Sequence, residues 1–217
     1  QGNLLQSVYF VDSNTGWAVG WVGTILKTTD GGNKWISQSS GTTNFLREVY
    51  FVDSNTGWAV GDSLTVLKTS DGGNKWMSQS TKIKSQSNSV YFINWIQLNS
   101  VYFINSNIGW VVGYGTILKT TNGGDTWIFQ NIPTDIYPRS VYFIDSNTGW
   151  TVGDWGKILT TIDGGDHWII QSWDDTTSSL SSVYFIDSNT GWTVGSNGTI
   201  LKTTDGGIEW ISQSSRT

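Results

Sequence analysis

Hydrophobic and polar positions alternate along most of the chain in short runs, broken by turns rich in Gly, Asn, Asp and Ser. Alternation with period two marks a strand with one buried face, and a Gly-rich turn between two such runs predicts a hairpin. In the first unit, 7–11 (SVYFV) reads as strand A, 12–15 as a turn, 16–21 (GWAVGW) as strand B, 24–29 as strand C and 33–39 (NKWISQS) as strand D. The same order returns four more times. Trp17, Trp58, Trp110, Trp150 and Trp192 mark five units at spacings of 41, 52, 40 and 42 residues. Units of about 40–45 residues with four strands each have the size of propeller blades. The expected fold is all-β: one domain over 1–217, a five-bladed β-propeller of four-stranded antiparallel blades with strand A nearest the axis. The blades fall at about 7–39, 48–80, 100–130, 140–172 and 182–214.

The stretch 24–35 (TILKTTDGGNKW) is the most constant, returning at 65–76, 116–127, 157–168 and 199–210. Asp30, Asp71, Asp163 and Asp205, with Asn122 in the third copy, are placed to accept hydrogen bonds from turn N–H groups. The paired glycines supply the positive φ of such a turn. Trp35, Trp76, Trp127, Trp168 and Trp210 offer apolar plates for packing between units. On these residues the chain resembles the Asp-box (BNR) repeat, Ser/Thr-x-Asp-x-Gly-x-Thr-Trp. Thr28, Asp30, Gly32 and Trp35 fit it; Asn122 departs from it, and only Thr126 keeps the Thr before the Trp. The resemblance implies a structural hairpin on the side of a blade away from the usual binding face, hence a fold and not an activity.

The recurring GWxVG followed by GTILKTTDGGxxW is similar to the photosystem II stability/assembly-factor-like propellers. That resemblance implies a non-enzymatic scaffold binding a protein partner, a membrane or surface protein, from a secreted, periplasmic or cell-surface location. Chaperones of that family usually have seven blades and an arginine-rich patch. Here there are five units and three arginines, Arg47, Arg139 and Arg216, so the general scaffold role is what carries over.

Two irregularities interrupt the repeat. The long spacing holds a duplication, SVYFIN at 89–94 and again at 100–105, separated by WIQLN at 95–99. Either copy could form strand A of the third blade. The surplus at 89–99 reads as an extended loop in preference to an extra edge strand or the remnant of a blade. The chain also starts at A and ends at D, so closure would rest on packing of the first blade against the fifth. Alternatively the chain is a fragment, or assembles with other chains.

Composition narrows the function classes. Fourteen Trp and 26 Gly with two Pro and one Met describe short strands and tight turns, and no apolar run approaches transmembrane length. A net charge of −5 argues against nucleic acid held through its phosphates. With no cysteine, redox compartment is unmarked, and the chain opens on Gln1, as a processed or excised form would. The repeated 12–16 (DSNTG) lacks the distal ligands of a calcium loop and reads as an Asx turn, so neither metal nor cofactor is expected.

Because strands alternate in direction, the A–B and C–D turns share one face and scarcely vary, while the D–A and B–C loops share the other and diverge. A residue present in one unit only is free to serve a site. The candidate binding face therefore carries Trp21, Asp62, Tyr114, Tyr137, Arg139, Asp154, Trp155, Trp173 and Asp174. Its aromatics suit a protein interface, and equally the stacking of sugars in a lectin-like propeller. A third reading is a glycoside hydrolase using Asp62 and Asp154 as its carboxylate pair. His167, the one histidine, occupies a box position that also holds Lys34, Lys75, Thr126 and Glu209, and reads as exposed and inert. No catalytic residue is expected.

Overall fold

The computed structural model describes residues 2–79, 83–84, 96–133, 136–173 and 177–214. Five sheets follow one another in chain order. The first joins β1 (Leu5–Phe10), β2 (Gly16–Gly20), β3 (Ile25–Thr28) and β4 (Ile36–Gln38). The second joins β5 (Leu46–Phe51), β6 (Gly57–Gly61), β7 (Thr65–Thr69) and β8 (Met77–Ser78). A short strand β9 (Ile83–Lys84) precedes the third, formed by β10 (Leu98–Phe103), β11 (Gly109–Gly113), β12 (Thr116–Thr120) and β13 (Trp127–Phe129). The fourth holds β14 (Pro138–Phe143), β15 (Gly149–Gly153), β16 (Lys157–Thr161) and β17 (Ile169–Ser172). The fifth holds β18 (Leu180–Phe185), β19 (Gly191–Gly195), β20 (Ile200–Thr203) and β21 (Ile211–Ser212).

The four strands of each unit are antiparallel, and β9 adds a parallel edge to the third sheet through β13. Of the two SVYFIN copies, the second supplies the inner strand, β10; the first lies outside the described residues. The expected loop at 89–99 lies largely outside the described residues, and the extra edge pairing is made ahead of it, by Ile83–Lys84.

Register explains the GWxVG signature. Phe51 pairs with Gly57, and a Cβ on that glycine would sit 2.5 Å from the Phe51 ring. The missing side chain lets the ring lie on the strand. A Cβ on Gly61 would meet the Phe45 carbonyl oxygen at 1.9 Å, so the last glycine of the motif allows the incoming loop to cross close by.

The core lies between sheets. Trp17 stacks on Phe51, Trp58 on Phe103, Trp110 on Phe143 and Trp150 on Phe185, with ring centroids 3.4–3.5 Å apart. Each of these Trp Nε1 groups donates to the first glycine carbonyl of the next box: Gly72, Gly123, Gly164 and Gly206. The box tryptophans meet the same Phe rings edge-on from within their own sheets, as Trp76 does Phe51. The inner strands form a tyrosine ladder, Tyr9–Tyr50–Tyr102–Tyr142–Tyr184, with neighbouring rings 5.0–5.4 Å apart.

The Asp-box turns repeat one circuit. In the second unit Thr69 Oγ1 donates to Asp71 Oδ1 and accepts from the N–H of Gly73, while Asp71 Oδ1 also accepts from the Lys75 N–H. Asn122 preserves the circuit with its amide oxygen and uses its amide N–H₂ to bond Thr126 Oγ1. That Thr126 alone keeps the hydroxyl before the Trp is thereby explained. Thr69 is fully buried. Thr69→Val is therefore expected to orphan the buried Gly73 N–H and destabilise by about 1–3 kcal/mol, read from chemical denaturation.

The first and fifth sheets do not close on one another as the internal junctions do. Val8 and Phe10 of the first sheet are 59% and 40% exposed, whereas Val49 and Phe51, their counterparts in the second, are 2% and 1%. Val194 of the fifth sheet is 43% exposed, while its counterparts Val19, Val60, Val112 and Val152 are fully buried. The expected packing of first blade on fifth is thus not formed. Four junctions of one geometry carry the sheets round as an arc.

Candidate functional site

The D–A and B–C loops meet on one face, held by backbone bonds. The Asp62 N–H donates to the Phe45 carbonyl, and Gly23 and Gly156 donate to Asn44 and Ser178 of the following unit's loop. On this face Trp21, Tyr114 and Trp155 are about half exposed, at 51%, 55% and 48%. Tyr114 packs on Tyr137 at 4.2 Å and Tyr137 on Trp155 at 5.0 Å, giving one aromatic strip across the third and fourth sheets. Trp21 stands apart, edge-on to Phe45 at 5.9 Å. Trp173 is partly buried against the core between the fourth and fifth sheets, so packing claims part of it. Asp174 lies outside the described residues.

Sequence pattern alone named one member, Arg139, of a second ring of positions and missed the other four. Each inner strand has a register shift near its start, between Leu5 and Ser7, Leu46 and Glu48, Leu98 and Ser100, Pro138 and Ser140, and Leu180 and Ser182. The residue between is Gln6, Arg47, Asn99, Arg139 or Ser181. Such an unpaired bulge residue is re-aimed out of the sheet. All five line one polar cavity of about 420 Å³, which opens among the inner strands. Comparing units at this register would have revealed it, since the position differs in most of them while the VYF two residues on does not.

Arginine and aspartate tie the two rings together. Arg47 Nε meets Asp62 Oδ1 at 2.6 Å, and Arg139 Nε pairs with Asp154 Oδ1. Each pair joins a bulge to the B–C turn of its own sheet. Asp62 and Asp154, the expected carboxylate pair of a hydrolase, are thus both engaged by arginine.

Glu48 stands where the other units have Ser7, Ser100, Ser140 and Ser182. Ser7, Ser100 and Ser140 accept the N–H of Val49, Val141 and Val183 in the next inner strand, and Glu48 Oε2 does the same for Val101. Burial pushes the Glu48 carboxyl up to about 7, against the opposing pull of the Val101 N–H and the Ser100 hydroxyl. The folded protein then holds a proton that the unfolded chain has released between the ordinary glutamate range and neutrality. Stability therefore falls as pH rises through that window and stays reduced above it. Because Glu48 keeps partial exposure through the cavity, the loss is discounted to about 1–2 kcal/mol. In Glu48→Ser this slope is expected to vanish and stability at neutral pH to rise, as measured by urea titrations across the window.

Trp155 has φ 56°, in the left-handed region, where the fifth unit has Asn197 at φ 57°. Asn tolerates that region and Trp does not, so a bulky ring is held there at a cost of roughly 1–2 kcal/mol. On the opposite face, His167 is exposed, with its Nδ1 2.7 Å from Asp163 Oδ2. The His167 N–H and ring together hold the Asp163 carboxyl well below the usual carboxylate range. This pair fastens a box turn.

Five Asp-box sheets, packed in sequence and bearing aromatic and arginine side chains on one loop face, place the chain in the β-propeller class. The chain belongs to the photosynthesis system II assembly factor YCF48 family, whose model matches residues 38–132 and 126–216. No curated protein matches the sequence. Among solved structures, YCF48 from Cyanidioschyzon merolae is 21% identical, with 99% of this chain and 73% of that one covered and a TM-score of 0.72. A structure of YCF48 bound to D1 peptide is 19% identical, covering 97% and 82%, with a TM-score of 0.51. An ancestral GH74 enzyme gives 0.75 at 18% identity, covering 98% of this chain but 31% of that one. At these identities the likeness is one of fold.

Proposed function

We propose that the chain is a non-enzymatic scaffold that binds an extended segment of a protein partner across its D–A/B–C face. One observation carries this reading: five bulges deliver five mostly different side chains to a single polar cavity, beside the Tyr114–Tyr137–Trp155 strip. An extended polypeptide offers both backbone polar groups for the cavity and side chains for the aromatic strip. Tyr, Trp and Arg are also the side chains that dominate protein interfaces. Family membership and the YCF48–D1 peptide structure support the reading. The arginine pairing of Asp62 and Asp154 speaks for a positioning role and against acid–base work. The family likeness also supports placement outside the cytoplasm, secreted, periplasmic or at the cell surface, and the five sheets support five blades as the unit count.

A displayed library of random peptides, screened in parallel with a glycan array, tests this. The expected result is saturable peptide binders and no saturable glycan. Glycan binding without peptide binding would replace the reading with the lectin-like one.

A further inference from the structure

One carboxylate in the inner cavity has no counter-charge of its own. The cavity of about 420 Å³ is lined by Glu48 together with the bulge residues and Ser7, Ser140 and Ser182. Its two cations, Arg47 and Arg139, are each committed to an aspartate of their own sheet, Asp62 and Asp154. Among the described residues no lysine, arginine or histidine stands within ion-pair distance of Glu48. Two arginines against Asp62, Asp154 and an ionised Glu48 leave one negative charge over.

The bonds between inner strands do not need this charge. Ser7, Ser100 and Ser140 serve the next strand's N–H with a neutral hydroxyl, and Glu48 does so with Oε2. The rest of the lining is rich in neutral acceptors. Asn99 spends its amide N–H on the Pro138 carbonyl, which leaves its Oδ1 to accept. A lysine or arginine head brings donors and no acceptor, so it matches such ground. An anion would meet the Glu48 carboxylate in a half-buried site where both arginines are already paired.

We propose that the cavity selects a basic side chain, lysine or arginine, from the bound segment, and that Glu48 recognises it. The inference rests on the reading of this face as a peptide site. The cationic head pairs with the Glu48 carboxylate, and the rest of the segment lies on the Tyr114–Tyr137–Trp155 strip. Pairing favours the ionised carboxylate, against the burial that pushes it up to about 7. The proton held below that point must leave when the segment binds. Affinity is therefore full above it and falls as pH drops through it. Few groups face Glu48: Ser100 from β10, the backbone of Val60 from β6, and the two arginine–aspartate pairs. One layer further along the inner strands, burial raises Tyr9, Tyr50, Tyr102 and Tyr142, which keep their protons throughout.

Selection from displayed random peptides near pH 8, on the wild type and on Glu48→Ser, tests the inference. Wild-type binders are expected to share a lysine or arginine, and binders of Glu48→Ser to lack it. One wild-type binder is then made with both termini blocked. Replacing its basic residue by glutamine is expected to weaken binding to the wild type at least about tenfold and to leave binding to Glu48→Ser unchanged. Wild-type affinity for the parent peptide is expected to be about tenfold lower near pH 6 than near pH 8, with no such change in Glu48→Ser. Serine already stands at this position in the four other units, and Glu48→Gln is the second variant should Glu48→Ser misfold. Binders with no common basic residue, or with a common acidic one, overturn the inference and leave the peptide reading standing. Should no peptide bind, both fall.

Discussion

Trp110→Ala is expected to cost about 3–5 kcal/mol of folding free energy, more than the loss of a box hydroxyl or of a loop-face ring. Trp110 is fully buried, stacks on Phe143 at 3.4 Å and donates from Nε1 to the Gly164 carbonyl at 2.9 Å. Truncation removes the stacked area, opens a cavity between two sheets and leaves Phe143 with an empty face. Against a typical net stability of about 5–15 kcal/mol, that removes a large share. Trp192→Ala is the matched control: the same residue in the same motif, but at an open end and only partly buried. Its expected cost in the monomer is within about 1 kcal/mol. Chemical denaturation followed by near-ultraviolet circular dichroism measures both. Equal losses would mean that the fifth-sheet face is covered as the others are.

The second large effect is on binding. Tyr114→Ala together with Trp155→Asn is expected to weaken a library-selected peptide by at least about 30-fold, the equivalent of some 2 kcal/mol. Both rings are about half exposed, and they flank Tyr137 in one strip. Trp155→Asn places at φ 56° a residue that accepts that conformation, so thermal stability is expected to hold or rise while affinity falls. The Trp155 ring packs on Tyr137 and stays about half exposed, so it is open to a partner on this face.

Most of the fold was legible because the repeat is both a sequence and a structural period. Alternation placed the strands, the box placed one set of turns, and five tryptophans counted five sheets. Closure was not legible, because Phe10 and Phe51 stand in identical local sequence, VYFVDSNTGW. Only their neighbours in space, Trp17 over one and no stacked ring over the other, tell them apart. At the site, the variable face emerged from comparing units, and Trp21, Tyr114 and Trp155 lie on it. Of the bulge residues Arg139 was placed on that face, while Gln6, Arg47, Asn99 and Ser181 were hidden because a register shift is invisible to a period-two reading, and Arg47 and Asn99 fall just ahead of the expected blades. Trp173 looked like a loop aromatic, but the core beneath it takes part of its ring. Asp62 and Asp154 supplied the hydrolase alternative because their pairing with arginines fifteen residues earlier along the chain is not visible in the sequence.

The most direct test of the central claim is calorimetric titration of one selected peptide into the wild type, the Tyr114→Ala/Trp155→Asn variant and Asp71→Asn. Asp71 belongs to a box turn on the opposite face. A loss of affinity confined to the Tyr114/Trp155 variant, with Asp71→Asn binding as the wild type does, is the predicted result. Undiminished binding by the Tyr114/Trp155 variant, or a loss confined to Asp71→Asn, would contradict it and move the site to the other face.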